Sequence, residues 1–364
     1  MSAALLEAHG RSTGAYISPH IETWTERVEI GGRPIGGEAF SAAVGRAAEA
    51  AEPVNRTLED DDSITQFELL TAAAFVAFAT AGIEIAVIEA GLGGRLDATN
   101  VLPSRVTALT SIGLEHTKWL GETEAEIAAE KLAVLGDRST LVLGSVSEEV
   151  LALGYAKAAE RHARVVEAAE LTPELKSLAQ GRFQHENLAV ALASVEATIG
   201  PLDSSATRAA IDALKLPGRL ERLPGEPPLF LDAAHNPAGA AALAAALPEL
   251  VGDRPIVCCL AVLDDKDAAG IATALATIVD EMVCTEIPAP LLQASGRVGA
   301  RSLTAGRLAT ICRDAGISSA LAVDQPDSAV TRALELARQR EGVALCAGSH
   351  YLSSYAWTAR RAQS

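Results

Sequence analysis

Residues 83–135 read IEIAVIEAGLGGRLDATNVLPSRVTALTSIGLEHTKWLGETEAEIAAEKLAVL. A short apolar run ends on a carboxylate, Glu89, and breaks into a turn holding Gly91, Gly93 and Gly94. A second run, Val106 to Ile112, is followed by Glu115 and His116, and a helix-period segment then carries Glu130 and Lys131. Strand, polar tip, strand, polar tip, helix is the grammar of an open parallel sheet, whose ligands sit outside the carboxyl ends of its strands. No other stretch of the chain places so many ionisable groups just after apolar runs.

Upstream, Ser2 to His9 reads as a helix stopped by Gly10, and AYISPHIETWTERVEI as two extended runs around a Ser-Pro turn. Glu38 to Glu52 is helix-compatible, and a further helix runs from Thr65 or Gln66 to Ala81, its start capped and charged by the acidic triplet Asp60 to Asp62. Downstream, TLVLGS is a buried strand, Ser147 to His162 a helix, Ala163 to Glu167 a strand, and a helix begins near Gln184. Pro217 and Gly218 break the pattern, so a domain boundary is expected at Leu214 to Pro217, dividing the chain into residues 1–214 and 217–364. The second half repeats the alternation. LFLDAAHNP is a strand and polar turn before a helix to Leu250, and PIVCCLAV leads through DDKD to a helix ending at Ile278. Strands follow at Met282 to Glu286, Ala320 to Val323 and VALCAG, with helices at Thr304 to Asp314 and Asp327 to Arg340. Alternation throughout predicts an α/β chain of two domains with parallel sheets and right-handed crossovers.

Composition narrows the function. With 364 residues, 49% of them hydrophobic and 21% charged, the chain has material for two packed cores. No apolar segment approaches the roughly 20 residues of a membrane span, and the first residues do not read as a signal peptide. Five cysteines, an odd number set mostly in apolar runs, fit a cytoplasmic core rather than a disulfide framework or a CxxC metal pair. A net charge of −17 argues against nucleic acid as a partner, yet leaves room for anionic small molecules beside local cations.

Glu89, His116 and Lys131 lie beyond or along elements whose apolar part is clear. A carboxylate and an imidazole at neighbouring strand ends can share a divalent cation, because Mg²⁺ takes few protein ligands and completes its shell with phosphate and water. The plainer alternative is that Glu89 caps its turn and His116 caps a helix. GLGGR lacks the lysine and hydroxyl of GxxxxGKS/T, which occurs nowhere in the chain, and as a glycine cluster it is weak. Asp232, His235, Asn236 and Pro237 form a second strand-end cluster. Asn236 and Pro237 suit a helix cap and first turn, whereas Asp232 and His235 could face a cleft between the domains. Arg219, after Pro217-Gly218, could reach an anion there or form a surface ion pair.

EAGLGGRLDATNV, TSIGLEHTKWLGET, EIAAEK, PGRLE and LDAAHNP resemble, in that order, the signature segments of the folylpolyglutamate synthase/dihydrofolate synthase family of the Mur ligase superfamily. YISPHIETWTERVEIGG resembles its SPH loop, and DDKD its later DKD turn. The resemblance spans about Ala3 to Tyr351. It implies a Mur-type nucleotide-binding N-terminal domain, a Rossmann-like C-terminal domain, and a monomer. It also implies an ATP-dependent ligase that phosphorylates a folate or dihydropteroate carboxylate and joins it to L-glutamate. On the same ground, Glu89 and His116 would be Mg²⁺ ligands, and Lys131 the lysine carbamylated in many members. Arg219 would touch the ATP phosphates and Asn187 the adenine. Asp232 would lie towards the ribose and His235 towards the phosphates or carbamate, with Ser18 and His20 in the loop over the active site.

The chain departs from the family at Glu115, Phe183-Gln184, EKLAVL and a shortened segment between Val166 and Arg182, which bears on the folate side of the site. The largest departure is in front, where the family carries a GTNGKGS-type phosphate loop on the turn before the helix that here begins at Met1. That strand and loop are missing from the sequence read from Met1. A start placed too late is the expectation, with a fragment or a degenerate, non-catalytic homologue as alternatives, and weak or absent ATP binding from Met1 onward. A ligase acting on another carboxylate, such as a cell-wall precursor, is the remaining alternative.

Overall fold

The computed structural model describes residues 1–59, 62–114, 116–178, 181–294 and 299–361. Two compact units emerge, Met1–Ala179 with Gln184–Leu214, and Gln180–Phe183 with Lys215–Ser364.

In the first unit the strands are β1 (Thr13–Tyr16), β2 (Val28–Ile30), β3 (Arg33–Pro34), β4 (Ile85–Ile88), β5 (Val106–Leu109), β6 (Thr140–Leu143) and β7 (Arg164–Glu167). They make two sheets, in the orders β3-β2-β1-β4 and β5-β6-β7. β1 runs parallel to β4, and β5, β6 and β7 are mutually parallel. β1–β2 and β2–β3 are antiparallel, which corrects the expectation of parallel pairing throughout. For β2–β3 the reason is local, since Gly31 and Gly32 take positive φ (59° and 68°) and turn the chain back within two residues, while β1 and β2 are joined by the longer segment 17–27. β6 is buried apart from its first residue, as a central strand should be. By contrast β4, although its sequence is IAVI, is half-exposed at a sheet edge.

Helix caps set the boundaries of the elements around β4. The helix Gln66–Ala81 starts at Thr65, whose hydroxyl accepts from Glu68 N while Glu68 returns its carboxylate to Thr65 N at 2.7 Å. This reciprocal pair supplies the cap expected from the acidic triplet, of which Asp60 and Asp61 lie outside the described residues. Asp62 only accepts from the neighbouring Ser63 N. Gly82, at φ 63°, ends the helix and sends the chain into β4. Thr123 and Glu126 repeat the capping box at Glu124–Lys131, leaving Lys131 as that helix's last residue.

The second unit is a six-stranded sheet in the order β12-β11-β10-β13-β9-β8. Its strands are β8 (Glu221–Leu223), β9 (Leu229–Leu231), β10 (Ile256–Leu260), β11 (Glu281–Cys284), β12 (Ala320–Ala322) and β13 (Val343–Ala347). All pairs are parallel except β8–β9. Every residue of β9, β10, β11 and β13 is buried, and the sheet separates two apolar clusters. One holds Leu243, Leu247, Ile271 and Leu308, the other Val330, Leu334, Leu352 and Ala356. Each such side chain contributes about 1.5–3 kcal/mol by leaving water, so continuous V/I/L/C runs can only be the centre of a helix-covered sheet. All five cysteines are free and buried here.

Candidate active site

Glu89 follows β4 directly. Its amide donates to Tyr16 O at 2.9 Å, continuing the β1–β4 ladder, and its carboxylate accepts from Ser18 N at 2.6 Å. Ser18 opens the SPH segment, which turns through a cis Ser18–Pro19 bond into a 3₁₀ turn, Trp24–Arg27. That turn is where the sequence predicted a second extended run. His20 is 7% exposed, accepts the Arg27 Nε–H on Nδ1 at 2.9 Å, and stacks on Trp24 with ring centroids 4.3 Å apart. Burial, then the Arg27 charge, hold His20 at about 4, well below its ordinary 6.5 and against the weaker pull of Glu26.

The glycine turn is built around Asp97. One carboxylate oxygen accepts from Gly91 N and Leu92 N, both at 2.8 Å, and the other from Thr99 N at 3.0 Å and from its hydroxyl. Close approach explains the glycines. A Cβ on Gly91 would meet the Phe67 ring at 2.3 Å, and one on Gly94 would meet Glu130 O at 2.6 Å and Lys131 O at 2.8 Å. Gly93, at φ 68°, faces Leu120 and Glu130. Arg95 closes the contact with an ion pair to Glu130. The turn after Glu89 is therefore packed on the helix that ends in Lys131 and on Leu120, the last residue of the short helix Thr117–Leu120. His116 precedes that short helix with φ 53°; its carbonyl accepts from Trp119 N and Leu120 N, and its side chain makes no cap. Helix capping does not account for the imidazole. Glu115 lies outside the described residues.

Glu89 and His116 are exposed and Lys131 is half-buried; the Lys131 ammonium makes no hydrogen bond or ion pair among the described residues. Asn187 is exposed on the helix Arg182–Ile199. Among the described residues no group of three His, Cys, Asp or Glu side chains could hold a metal by itself. One carboxylate and one imidazole suit an ion that takes most of its shell from phosphate and water, and do not suit a closed protein cage. Asp97, Arg95 and Arg27 are site-building residues that the sequence reading passed over. Asp97-Ala98-Thr99 carried a signal for the first, since an Asp two residues before Thr after a glycine cluster is a turn-and-cap pattern.

In the second unit Arg219, Asp232 and His235 come from one local structure. Gly218 and Leu220 take positive φ (64° and 52°), Leu220 is buried, and Arg219 between them is exposed. Asp232, 7% exposed, accepts from Leu220 N at 2.8 Å and Ala234 N at 2.9 Å, so each carboxylate oxygen holds a main-chain amide. Burial raises its carboxyl above the ordinary 3.8, opposed by Arg219 and the two amides. His235 Nδ1 lies 2.9 Å from Ala233 O. A carbonyl only accepts, so Nδ1 carries the proton and Nε2 keeps its lone pair in the neutral ring. Asn236 accepts from Gly239 N at 2.7 Å and Pro237 begins the helix Pro237–Val251, so both act as the cap.

A family profile described as "Mur ligase, glutamate ligase domain" matches residues 218–350. The chain is 36% identical over 330 residues to the dihydrofolate synthase/folylpolyglutamate synthase of Mycobacterium tuberculosis, covering 79% of this chain and 67% of that protein. A solved structure of M. tuberculosis folylpolyglutamate synthase with ADP and AMPPCP superposes with a TM-score of 0.88 at 31% identity, covering 99% of this chain and 87% of that one. Escherichia coli FolC in complex with DHPP and ADP gives 0.82 at 27% identity, covering 100% and 85%. The bifunctional Yersinia pestis synthase with AMPPNP and a Mn ion gives 0.82 at 30% identity, covering 99% and 85%. The two-unit α/β architecture, the ordered motifs and the full-length likeness converge: the chain belongs to the folylpolyglutamate synthase/dihydrofolate synthase family of the Mur ligases.

Proposed function

We propose that this chain is an ATP-dependent ligase that joins L-glutamate to the carboxylate of dihydropteroate or of a folate. The observation that carries the proposal is the likeness along 99% of the chain to a synthase structure holding ADP and AMPPCP. A carboxylate oxygen of the acceptor attacks the γ-phosphorus of ATP and ADP leaves, giving an acyl phosphate. The glutamate amine then attacks the carbonyl carbon, phosphate leaves, and the nitrogen gives up a proton as the amide forms. Both steps bring anions together, so the site must offset their repulsion.

Mg²⁺ bound by Glu89 and His116 would supply that charge and polarise phosphate oxygens. The fit rests on the donor set, an exposed carboxylate just before the turn fixed by Asp97 and an exposed imidazole just before the helix Thr117–Leu120. Lys131 has its main chain locked against Gly94 while its ammonium stays unengaged among the described residues, which suits a lysine that reacts with CO₂ to give a carbamate. Arg219, exposed on a turn whose shape Asp232 fixes, is the cation for ATP phosphates. Asn187 is assigned to the adenine. Asp232, placed towards the ribose by the resemblance, has both oxygens on main-chain amides and so contributes chiefly by shaping the Arg219 turn. His235 offers Nε2 to a phosphate when protonated, or as a proton acceptor when neutral. The protein works as a monomer.

The test is release of ADP by the purified protein extended upstream of Met1 to include a phosphate loop, supplied with ATP, Mg²⁺, L-glutamate and dihydropteroate or tetrahydrofolate. Release is expected only when both the acceptor and glutamate are present, and His116→Ala and Lys131→Ala should each lower it by orders of magnitude. Release that ignores the folate and responds to a muramyl peptide would reassign the acceptor, and near-normal rates in both variants would remove the metal-site assignment.

A further inference from the structure

His20 is a buried imidazole whose state is fixed by its neighbours. An arginine has no acceptor, so the Arg27 Nε–H must donate to Nδ1, and the neutral ring must carry its one proton on Nε2. The arrangement is braced, because Trp24 stacks on the ring at 4.3 Å and also lies under the Arg27 guanidinium at 5.0 Å. Among the described residues, no protein group takes the Nε2–H. Glu26, the carboxylate that pulls against the low value, is held by amides: Ile21 N at 2.7 Å on one oxygen, Glu22 N at 3.0 Å and Thr23 N at 2.6 Å on the other. A full positive charge donating into one nitrogen polarises the ring and strengthens the N–H on the far side, as in any hydrogen-bonded chain. Two residues before His20, the Ser18 amide is held on the Glu89 carboxylate. The polarised donor therefore belongs to the same loop that is pinned beside the first candidate metal ligand.

We propose that Arg27 and His20 form a relay that presents the His20 Nε2–H to an anionic oxygen of the substrate, with His20 as the binding group and Arg27 as its positioning residue. In the ligase, on which this inference rests, the oxygen is that of the acceptor carboxylate. His20 does not shuttle protons, since burial and the facing Arg27 outweigh Glu26 and keep the ring neutral until about 4. An ordinary imidazole would be partly charged at neutral pH and would gain or lose its proton readily. A fixed neutral donor binds the oxygen in one orientation and leaves its charge to be used in attack.

The test uses the intact chain, labelled with nitrogen-15, and long-range ring correlations, with His20 assigned by its loss in His20→Gln. The Nε2–H tautomer is expected, with no titration between about pH 7 and about pH 5. In Arg27→Met the His20 titration should move up towards 6.5. An Nδ1–H tautomer, or titration near 6.5 in the unmodified protein, overturns the relay. Calorimetry then reads the ligand. His20→Leu should weaken dihydropteroate binding by about tenfold or more. His20→Gln, whose amide N–H can occupy the Nε2 position, should stay within about threefold. An analogue with hydrogen in place of the carboxyl should be indifferent to both substitutions. Loss of ADP affinity instead would identify the oxygen as a phosphate's and keep the relay, while unchanged affinity for both ligands in His20→Leu overturns it. An unmodified chain that binds no dihydropteroate contradicts the folate assignment itself, and the substrate contact with it.

Discussion

Asp97 shows how one residue can hold a turn together. Four donors converge on its carboxylate, and it is 9% exposed, so removing it strands amides in a turn that has no other acceptor for them. Asp97→Ala should destabilise the first unit by about 2–4 kcal/mol, read from its urea midpoint. A loss below about 0.5 kcal/mol would mean that the turn holds itself together. His20 gives a second residue-scale expectation, with a definite sign. Its folded value is about 4 against an ordinary 6.5, so between these limits the unfolded chain binds the extra proton. The contribution of neutral His20 is intact above 6.5 and is lost as pH falls towards 4. Between about pH 6.5 and about pH 5, above most carboxylate titration, His20→Gln should flatten the decline in urea midpoint. A decline of unchanged slope would place its origin elsewhere.

At the scale of elements, the contact that matters is the glycine turn on the end of Glu124–Lys131. A methyl at Gly94 would strike main-chain oxygens at 2.6 and 2.8 Å, and main chain cannot swing aside as a side-chain tip can. Gly94→Ala should push the end of that helix away, displace Lys131 and cut turnover by tenfold or more, while Gly306→Ala, with open space around it, serves as the neutral control. Equal turnover in the two variants would mean that the close approach has no bearing on Lys131. This contact also marks what could be read in advance. The strands at Leu229, Val257 and Val343 were legible because buried strands need near-unbroken apolar runs, and those at Ile85 and Val106, only partly buried, because short apolar runs there end in polar tips. The helix at Pro237 was legible because Asn-Pro announces its start, whereas the Thr-x-x-Glu boxes at Thr65 and Thr123 went unread, the first in favour of the acidic triplet. Gly31-Gly32, β3 and β8 were not legible, since a two- or three-residue edge strand leaves no period to detect, while β2 was legible as extended chain but not as an antiparallel strand. Nor were the helices Ser204–Ala213 and Leu352–Arg361. Of the proposed site residues, Glu89, His116 and His235 stand out as polar tips after apolar runs, whereas Lys131 lies in a helix-period segment and Arg219 follows the Pro217-Gly218 break. Asp97's four bonds and Arg27's hold on His20 depend on how the chain returns on itself, which no spacing rule encodes.

At the scale of the whole molecule, the chain carries −17 overall yet is proposed to gather ATP, a carboxylate and glutamate, all anions. In that proposal local cations offset the repulsion: Arg219 on its Asp232-fixed turn, Arg27 behind His20, and a divalent ion that Glu89 and His116 would hold. Among the described residues no helix is long and apolar enough to cross a membrane. The chain spans 67% of the M. tuberculosis relative in sequence and 87% of the solved structure in superposition, so the likeness covers both of its compact units. The central claim is that the acceptor carboxylate is activated by phosphorylation. It is tested most directly by running the reaction with dihydropteroate labelled with oxygen-18 in both carboxyl oxygens and analysing the released phosphate by mass spectrometry. Transfer of a single labelled oxygen into phosphate for each amide formed is the predicted result. Unlabelled phosphate accompanying amide formation, or no amide at all, would contradict it.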